Sequence, residues 1–373
     1  MIVVFTVSLL LVAWTFAGYP AMVIVLARGR SARNGMRTCL DPVTVVVAAR
    51  NEAQRIRHRI DNLLASHYPA DRLSILIVDD GSEDETAALV SALDDERVRL
   101  LRLERSAGKA AALNRAMSVV ETPLTVFADA RQSFDHAAIR RLANAFADPS
   151  VGLAAGRLVL GAHETTGLYW RLETDLRRAE SAMGWAHGAS GAIYAIRTRL
   201  FTPLPEDLLL DDVWTPLHVV RAGHRLAFVD DAIAIETVTM GAGAEFRRKI
   251  RTLSGNWQLM ARAPWLLVPW RNPVFGAWFS HKFLRLIAPW ALALALLVSL
   301  MAVLSDVSPW LQALFWLQLV AYAGAAMALA APTLARRVPL GTAAGSFLLL
   351  NLAAMMSLPI WLGTRHPGRF WRG

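Results

Sequence analysis

Four long stretches of this chain carry no charged side chain, and they limit the folds open to it more than any other feature. The stretches cover residues 1–27, 286–305, 307–335 and 338–364. Because about 20 apolar residues are enough to cross a bilayer as a helix, each stretch is long enough to span a membrane. The first stretch lacks the basic residues that begin a cleaved signal peptide, and it is longer than the apolar region of such a peptide. We therefore predict a retained membrane anchor.

Basic residues beside these stretches predict on which side of the membrane the rest of the chain lies. Arg28, Arg30, Arg33 and Arg37 directly follow the first stretch, and basic flanks of this kind face the cytoplasm. We therefore expect an integral protein of a bacterial-type inner (plasma) membrane whose central domain is cytoplasmic. The side of the basic tail, residues 365–373, stays open, because four single crossings would place it outside.

The net charge of +9 does not indicate a nucleic-acid-binding protein. Only three of the 39 basic residues are lysines, and many of the arginines lie beside the apolar stretches. Anionic lipid headgroups and a diphosphate ligand explain this charge better than DNA does. The single cysteine, Cys39, excludes an internal disulfide and fits a reducing compartment.

The segment between the first two stretches, about 260 residues long, is sufficient for one α/β domain. Its first half alternates apolar runs with helical patterns, which predicts a parallel sheet with helices on both faces. Predicted strands cover residues 43–48, 73–78, 98–103, 124–128, 151–160, 191–196, 226–229 and 233–236. Predicted helices cover residues 52–66, 83–93, 107–119, 135–147, 168–183, 212–222 and 245–262. No dinucleotide fingerprint follows the first strand, which excludes a Rossmann dehydrogenase.

Carboxylates follow several apolar runs of this domain. Asp79 and Asp80 end one predicted strand, Asp129 ends another, and Asp211 and Asp212 follow three leucines. Ligands of an open α/β sheet bind just beyond the carboxyl ends of its strands. The repeated placement of carboxylates at such ends predicts a site for a metal and a diphosphate.

The predicted helix 245–262 has one apolar face, arginines on its other faces and a tryptophan-rich segment after it. This pattern is typical of a helix lying at the membrane surface. A helix that packs on the core would explain the apolar face equally well.

An ordered set of short motifs resembles the motifs of membrane-embedded family 2 glycosyltransferases with a GT-A fold, such as the synthases of cellulose, hyaluronan and poly-N-acetylglucosamine. The motifs are Ala48-Ala49-Arg50-Asn51-Glu52, Asp79-Asp80-Gly81-Ser82, Gly108-Lys109-Ala110-Ala111-Ala112-Leu113-Asn114, Ala128-Asp129-Ala130, Gly188-Ala189-Ser190-Gly191 and Leu210-Asp211-Asp212. The resemblance implies an α/β GT-A domain, a Rossmann-like nucleotide-diphospho-sugar transferase fold, together with transmembrane helices.

The resemblance also implies a donor site for a UDP- or GDP-sugar. Asp129 matches the first carboxylate of the family's DxD motif and would hold Mg²⁺ or Mn²⁺, ions that prefer hard oxygen ligands. Lys109 matches the lysine near the diphosphate, although a solvated helix residue is its plain alternative. Asp80 matches the position that recognises the nucleotide base, with Asp79 as the second choice. Ala49, Asn51 and Glu52 would line the nucleotide wall. Asp79 and Asp80 could equally form an Asx turn, and Asn51-Glu52 could be a plain helix start.

On the acceptor side, Asp212 matches the family's catalytic base, with Asp211 as the alternative base or as a helix cap. A base at this position takes the proton of the acceptor hydroxyl as the oxygen attacks the anomeric carbon. The configuration would invert, so that an α-linked donor gives a β-glycoside. Ser190, Gly191 and Trp257 would shape the acceptor pocket.

Two departures from the family pattern change this expectation. Arg131 stands where the second DxD carboxylate is usual, which removes one metal ligand and brings a cation towards the phosphates. Of the Gln-x-x-Arg-Trp motif of processive synthases only Arg251 is kept, with Trp257 further along the helix. We therefore expect the addition of one or a few sugars rather than the export of a long chain.

The sequence thus predicts an inverting glycosyltransferase that acts on a membrane-associated lipid or saccharide acceptor in cell-envelope glycan or glycolipid synthesis. Its expected partners are the nucleotide sugar, the acceptor and membrane lipids. The alternatives are a processive exopolysaccharide synthase and a catalytically weak scaffold of an envelope-assembly complex. A transporter is excluded, because the charge-free stretches hold no ionisable group for a substrate path.

We expect the following division of the chain. It comprises a transmembrane helix at 1–27, a basic linker at 28–42, the GT-A domain at 43–242, amphipathic helices at 243–282, transmembrane helices at 283–305 and 308–332, a transmembrane or partly re-entrant helix at 339–364, and a basic tail at 365–373.

Overall fold

A computed structural model describes residues 1–30, 38–161, 168–236, 242–335 and 337–364. Its strands are β1 Val43–Ala49, β2 Leu73–Asp79, β3 Val98–Arg102, β4 Leu124–Asp129, β5 Ser133–Phe134, β6 Val151–Leu160, β7 Ile193–Arg197 and β8 Arg225–Glu236. Its helices are α1 Ile2–Ala13, α2 Tyr19–Ala27, α3 Ala53–Leu64, α4 Thr86–Ser91, α5 Lys109–Met117, α6 Ala138–Asn144, α7 Leu168–Met183, α8 Asp211–Arg221, α9 Ala242–Arg262, α10 Phe275–Trp278, α11 Leu284–Leu304, α12 Pro309–Ala330, α13 Pro332–Ala335 and α14 Gly341–Gly363. Arg33, Arg37 and the tail, on which part of the predicted topology rests, lie outside the described residues.

The eight strands form one sheet in the order β3-β2-β1-β4-β7-β6-β8-β5. The strands β1 to β4 are parallel, as predicted from the alternation of strands and helices. The alternation does not extend to the second half, where β7 runs antiparallel to both β4 and β6. The sheet is therefore mixed.

The predicted strands 226–229 and 233–236 are one strand, β8. The two aspartates that separate the apolar runs do not interrupt it, because Asp230 pairs with Arg157 and Arg178 and Asp231 pairs with Arg141. A register shift between Ala155 and Arg157 of the neighbouring β6 accommodates this irregular region.

Apolar side chains cover both faces of the sheet. Val45 and Ile75 point into the layer formed with α3 and α6, whereas Val46 and Leu76 point into the layer formed with α5 and α8. A strand buried on both faces reads as a continuous apolar run, which explains why these central strands stand out in the sequence. The prediction of helices on both faces is confirmed.

The carboxyl ends of the central strands lie at one edge of the sheet. Ala49 at the end of β1 is level with Asp79 at the end of β2, and Ala48 is level with Asp129 at the end of β4. This edge is where the site described below is found.

Four helical segments of the described chain are long and apolar enough to cross a membrane: Ile2–Ala27, Phe275–Leu304, Pro309–Ala330 and Gly341–Gly363. Short π-helical segments join α1 to α2 and α10 to α11 into continuous helices. The second segment begins at Phe275 rather than at the predicted residue 283, and therefore contains charged side chains of the region predicted as amphipathic.

Helix α9 lies between the sheet domain and the last apolar helix. Its Gln258 side chain accepts a hydrogen bond from the Leu209 N–H at 3.0 Å, while its Ser254 hydroxyl donates to the Ser357 carbonyl of α14 at 3.0 Å. Both sides of the helix are thus in contact with protein.

Candidate active site

A cleft of about 860 Å³ opens at the carboxyl ends of β1, β2 and β4, a volume typical of a ligand pocket. Most of the predicted site residues line it, although they are far apart in the sequence. They are Ala49, Glu52, Asp80, Lys109, Asp129, Arg131, Ser190, Gly191, Asp211, Asp212 and Arg251.

Asn51 and Asp79 do not line the cleft, contrary to the sequence prediction. Asp79 is fully buried and its carboxylate accepts a hydrogen bond from the Ser82 N–H at 3.2 Å. Asn51 has a φ of +53°, and its side-chain oxygen accepts from the Glu83 N–H at 2.9 Å. Both side chains therefore stabilise turns that follow strands, which is the Asx-turn alternative considered for Asp79.

Trp257 is also not part of the cleft wall. It lies on α9, and its indole N–H donates to the Ser357 hydroxyl of α14 at 3.0 Å. The structure therefore does not bring this side chain to the predicted acceptor pocket, because the helix turns it towards the apolar helix α14.

Asp80 holds the loop that leads into α5. One carboxylate oxygen accepts from the Ala107 N–H at 2.7 Å, and the other accepts from the Ser106 hydroxyl at 2.9 Å and from the Gly108 N–H at 3.0 Å. The loop passes so close that a Cβ on Gly81 would lie 2.6 Å from the Ser106 nitrogen. Asp80 thereby places the start of α5, and Lys109 is its first residue.

The Lys109 ammonium lies between two carboxylates. Its Nζ is 3.0 Å from an Asp129 oxygen and 3.4 Å from an Asp211 oxygen. Burial opposes the ammonium charge, but Asp129, Asp211 and Asp212 outweigh it and raise the pKa of Lys109. The lysine is therefore a fixed cation in the centre of the cleft.

Asp212 lies in the first turn of α8 beside the Ser190–Gly191 segment. The Gly191 N–H donates to its Oδ2 at 3.1 Å, and a Cβ on Gly191 would lie only 3.2 Å from this atom. Burial, followed by the charge of Asp211, raises the pKa of Asp212 to about 6, although Lys109 opposes the shift. Asp212 is thus a carboxylate that can take up a proton near neutral pH.

Arg131 lines the cleft, but Glu52 holds its guanidinium. The Arg131 Nε donates to a Glu52 oxygen at 3.0 Å, and Glu52 also accepts from Arg55 at 3.1 Å. Sequence reasoning treated both residues as parts of the nucleotide site and missed the contact between them, which joins the end of β1 to the loop after β4.

A basic wall, which the sequence prediction also missed, faces these carboxylates. It consists of Arg157 on β6, Arg177 on α7, and Arg248 and Lys249 on α9. The arginines on the polar faces of the predicted helix 245–262 were the only signal for it, and their orientation depends on the packing of α9.

A buried polar cluster lies behind this wall and contains Glu173, Glu180, His187 and His281. Ligand atoms of the latter three lie within 4.8 Å of one another, so by distance they could hold a metal. The two ring nitrogens of His281, however, contact Glu180 at 2.8 Å and Glu173 at 3.2 Å.

The charges of this cluster indicate an ion-pair network. Burial alone would raise the pKa of Glu180, but His281, His187 and the Tyr19 hydroxyl lower it to about 2. Glu180 and Glu173 contact both ring nitrogens of His281, so the cluster is held together by contacts among its own side chains. The network ties α2, α7 and the helix Phe275–Leu304 together.

Comparison with known proteins finds similarity to glycosyltransferases over part of the chain. Residues 44–205 match the family described as Glycosyl transferase family 2. The β-monoglucosyldiacylglycerol synthase of Trichormus variabilis is 33% identical over 138 residues, which cover 34% of this chain and 30% of that protein. The poly-β-1,6-N-acetyl-D-glucosamine synthase of Staphylococcus aureus is 23% identical over 235 residues, covering 60% of this chain and 56% of that protein. The matches thus span only about a third to a half of these relatives.

Among solved structures, a mannosyltransferase from Pyrobaculum calidifontis in complex with GDP-Man and Mn²⁺ is similar over 96% of this chain and 99% of its own. The TM-score is 0.72 and the sequence identity is 24%. This likeness confirms the predicted fold, a GT-A type mixed sheet in a Rossmann-like domain combined with apolar helices.

Proposed function

We propose that this chain, which carries a family 2 glycosyltransferase domain over residues 44–205, transfers a sugar from a UDP- or GDP-sugar to a membrane-associated lipid or saccharide acceptor. The observation that carries the proposal is the convergence of Lys109, Asp129, Asp211 and Asp212 on one cleft at the carboxyl edge of the sheet. A cation and carboxylates of this kind are what the departure of a nucleoside diphosphate from a sugar requires.

On the donor side, Lys109 and Arg251 would stabilise the diphosphate as its charge grows. Asp129 offers hard oxygen ligands at the strand end and would hold Mg²⁺ or Mn²⁺. The bound ion would neutralise part of the charge on the leaving group. Arg131 provides no carboxylate, and Glu52 holds it at the cleft wall, so Asp129 is the acidic ligand that the DxD position offers.

On the acceptor side, Asp212 would act as the base. It takes the proton of the acceptor hydroxyl while the oxygen bonds to the anomeric carbon, and the bond from this carbon to the nucleoside diphosphate breaks. Attack from the face opposite the leaving group inverts the configuration, so an α-linked donor gives a β-glycoside. The Gly191 N–H orients the base, and its raised pKa of about 6 suits proton uptake.

We infer that the product carries one or a few added sugars. Trp257 contacts α14 rather than the cleft, so the processive motif is incomplete in space as well as in sequence. The four apolar helices support a location in the inner membrane with the cleft on the cytoplasmic side.

The test uses purified full-length protein with UDP- and GDP-sugars and lipid extract. We expect nucleotide release and a glycolipid whose anomeric proton reports a β-linkage by NMR. Release should stop in Asp212→Asn and should continue in the matched surface variant Asp231→Asn. Added EDTA should also stop it if Asp129 holds a divalent ion.

Release that is equal in wild type and Asp212→Asn would contradict the assigned base. A ladder of long oligomers would favour the processive alternative, and no release from wild-type protein would favour a scaffold.

A further inference from the structure

We propose that the acceptor carries a phosphate group next to its reacting hydroxyl, and that Arg177 and Lys282 bind this phosphate at the membrane-facing end of the cleft. The inference rests on the proposed function and names the chemical class of the acceptor.

The phosphate site lies where the cleft meets a narrow recess of about 20 Å³. Arg177 and Ala189 line both spaces, whereas Lys282 lines only the recess. The donor-side residues Lys109 and Asp129 do not line the recess. The two cations are therefore separate from those assigned to the donor diphosphate.

Arg177 and Lys282 face the recess beside carboxylates that other side chains already engage. Glu180 contacts His281, and Glu173 contacts His281 and pairs with Arg285 at 3.0 Å. Arg177 shares Glu173 with these groups, at 3.5 Å. Lys282 forms no ion pair within the described part of the chain, and Asp212 is a further carboxylate whose charge acts on it. Neither Arg177 nor Lys282 therefore has a carboxylate of its own at the recess.

A cation whose carboxylate partners are shared in this way favours an anionic ligand. A charge removed from water needs a partner of opposite sign, and Arg and Lys are the usual protein ligands of phosphate.

The position of Lys282 relates this anion to the reaction. Ala189 lines the same recess as Lys282 and donates its N–H to the Asp212 carbonyl at 2.9 Å, so a phosphate at Lys282 lies near the assigned base. Lys282 also belongs to the apolar segment Phe275–Leu304. An acceptor with its phosphate here would keep its hydroxyl towards Asp212 and its acyl chains along that helix, which is the arrangement of a phospholipid headgroup.

The experiment compares two acceptors with the same acyl chains and a primary hydroxyl, dioleoylphosphatidylglycerol and dioleoylglycerol. Full-length protein is assayed in mixed micelles of a sugar-free polyoxyethylene detergent, and kcat/KM is measured for each acceptor. We expect wild type to favour the phospholipid by ~10-fold, the scale of one or two charge-assisted hydrogen bonds. Lys282→Gln and Arg177→Gln should lose this preference through a higher KM for the phospholipid.

Arg271→Gln is the matched control, because this exposed arginine precedes the same apolar helix and lines neither space. It should keep the preference. Inorganic phosphate, added as a soluble probe, should compete with the phospholipid in wild type and in Arg271→Gln but not in Lys282→Gln.

Equal kcat/KM for the two acceptors, or a preference that survives in Lys282→Gln, would overturn the phosphate site. Competition by inorganic phosphate without a preference for the phospholipid would overturn its assignment to a lipid headgroup. Release of nucleotide from the donor in the absence of acceptor tests the proposed glycosyltransferase function by itself. If nucleotide is released but the phospholipid is not preferred, the phosphate site fails while the proposed function stands.

Discussion

Asp212 is the residue on which the proposed chemistry depends most directly, and its environment predicts a pH dependence. A base must be deprotonated to accept a proton, and burial together with Asp211 raises the pKa of this carboxyl to about 6. We expect kcat/KM for the acceptor to be constant above about pH 6 and to fall roughly tenfold per pH unit below it. A profile measured from acid to neutral pH checks this.

The same profile in variants identifies the group. Asp212→Asn should lower the rate by at least about two orders of magnitude, and its profile should no longer fall below about pH 6 (the acid limb). Asp231→Asn should keep the wild-type rate and the acid limb. An acid limb that persists in the residual activity of Asp212→Asn would assign the titration to another group.

The position of Lys109 predicts that its replacement weakens the binding of the donor. Lys109→Gln removes the cation between Asp129 and Asp211, so the carboxylates repel each other and the incoming diphosphate. We expect the Kd of UDP or GDP, measured by isothermal titration, to rise by roughly tenfold or more, as for a lost charge-assisted hydrogen bond. Lys282→Gln, on the acceptor side, should leave this Kd unchanged, and an equal loss in both variants would contradict the separation of the two sites.

At the scale of elements, α9 joins the sheet domain to the apolar helix α14. Trp257→Phe removes the hydrogen bond to Ser357 of α14 but keeps most of the apolar surface. We expect a loss of about 1 kcal/mol in stability, seen as a lower melting temperature, with an unchanged KM for the acceptor. Trp270→Phe is the matched control, because this side chain is 84% exposed. A raised KM for the acceptor in Trp257→Phe would indicate that the tryptophan contributes to the acceptor site.

The elements also show which parts of the site the sequence can predict. The ends of β2 and β4 and the start of α8 were predictable, because buried strands ending in aspartates have a strong local pattern. The contacts of Arg131 with Glu52 and of Trp257 with Ser357 were not, because they depend on how distant elements pack. The strand directions in the second half of the sheet were not predictable for the same reason: strand direction is set by connections and leaves little trace in residue types.

At the scale of the whole molecule, the buried network around Glu180 predicts that the sheet domain and the apolar helices packed on it are stable only together. Glu180→Gln leaves His281 with a single carboxylate and weakens the contact with Tyr19. Breaking a buried ion pair costs about 3–5 kcal/mol, so we expect a clearly lower melting temperature and a shorter half-life of the purified full-length protein. Glu121→Gln, at an exposed position, should change neither. Equal melting of the two variants would show that the network does not stabilise the assembly.

In the proposed mechanism, the ammonium shared by Asp129 and Asp211 would make the strength of the base depend on the order of substrate binding. The charge of Lys109 lowers the pKa of Asp212, and a diphosphate that engages Lys109 would screen this charge. Asp212 would then become a stronger proton acceptor only once the sugar to be transferred is in place, and a hydroxyl that arrives early, water included, would meet a less reactive enzyme.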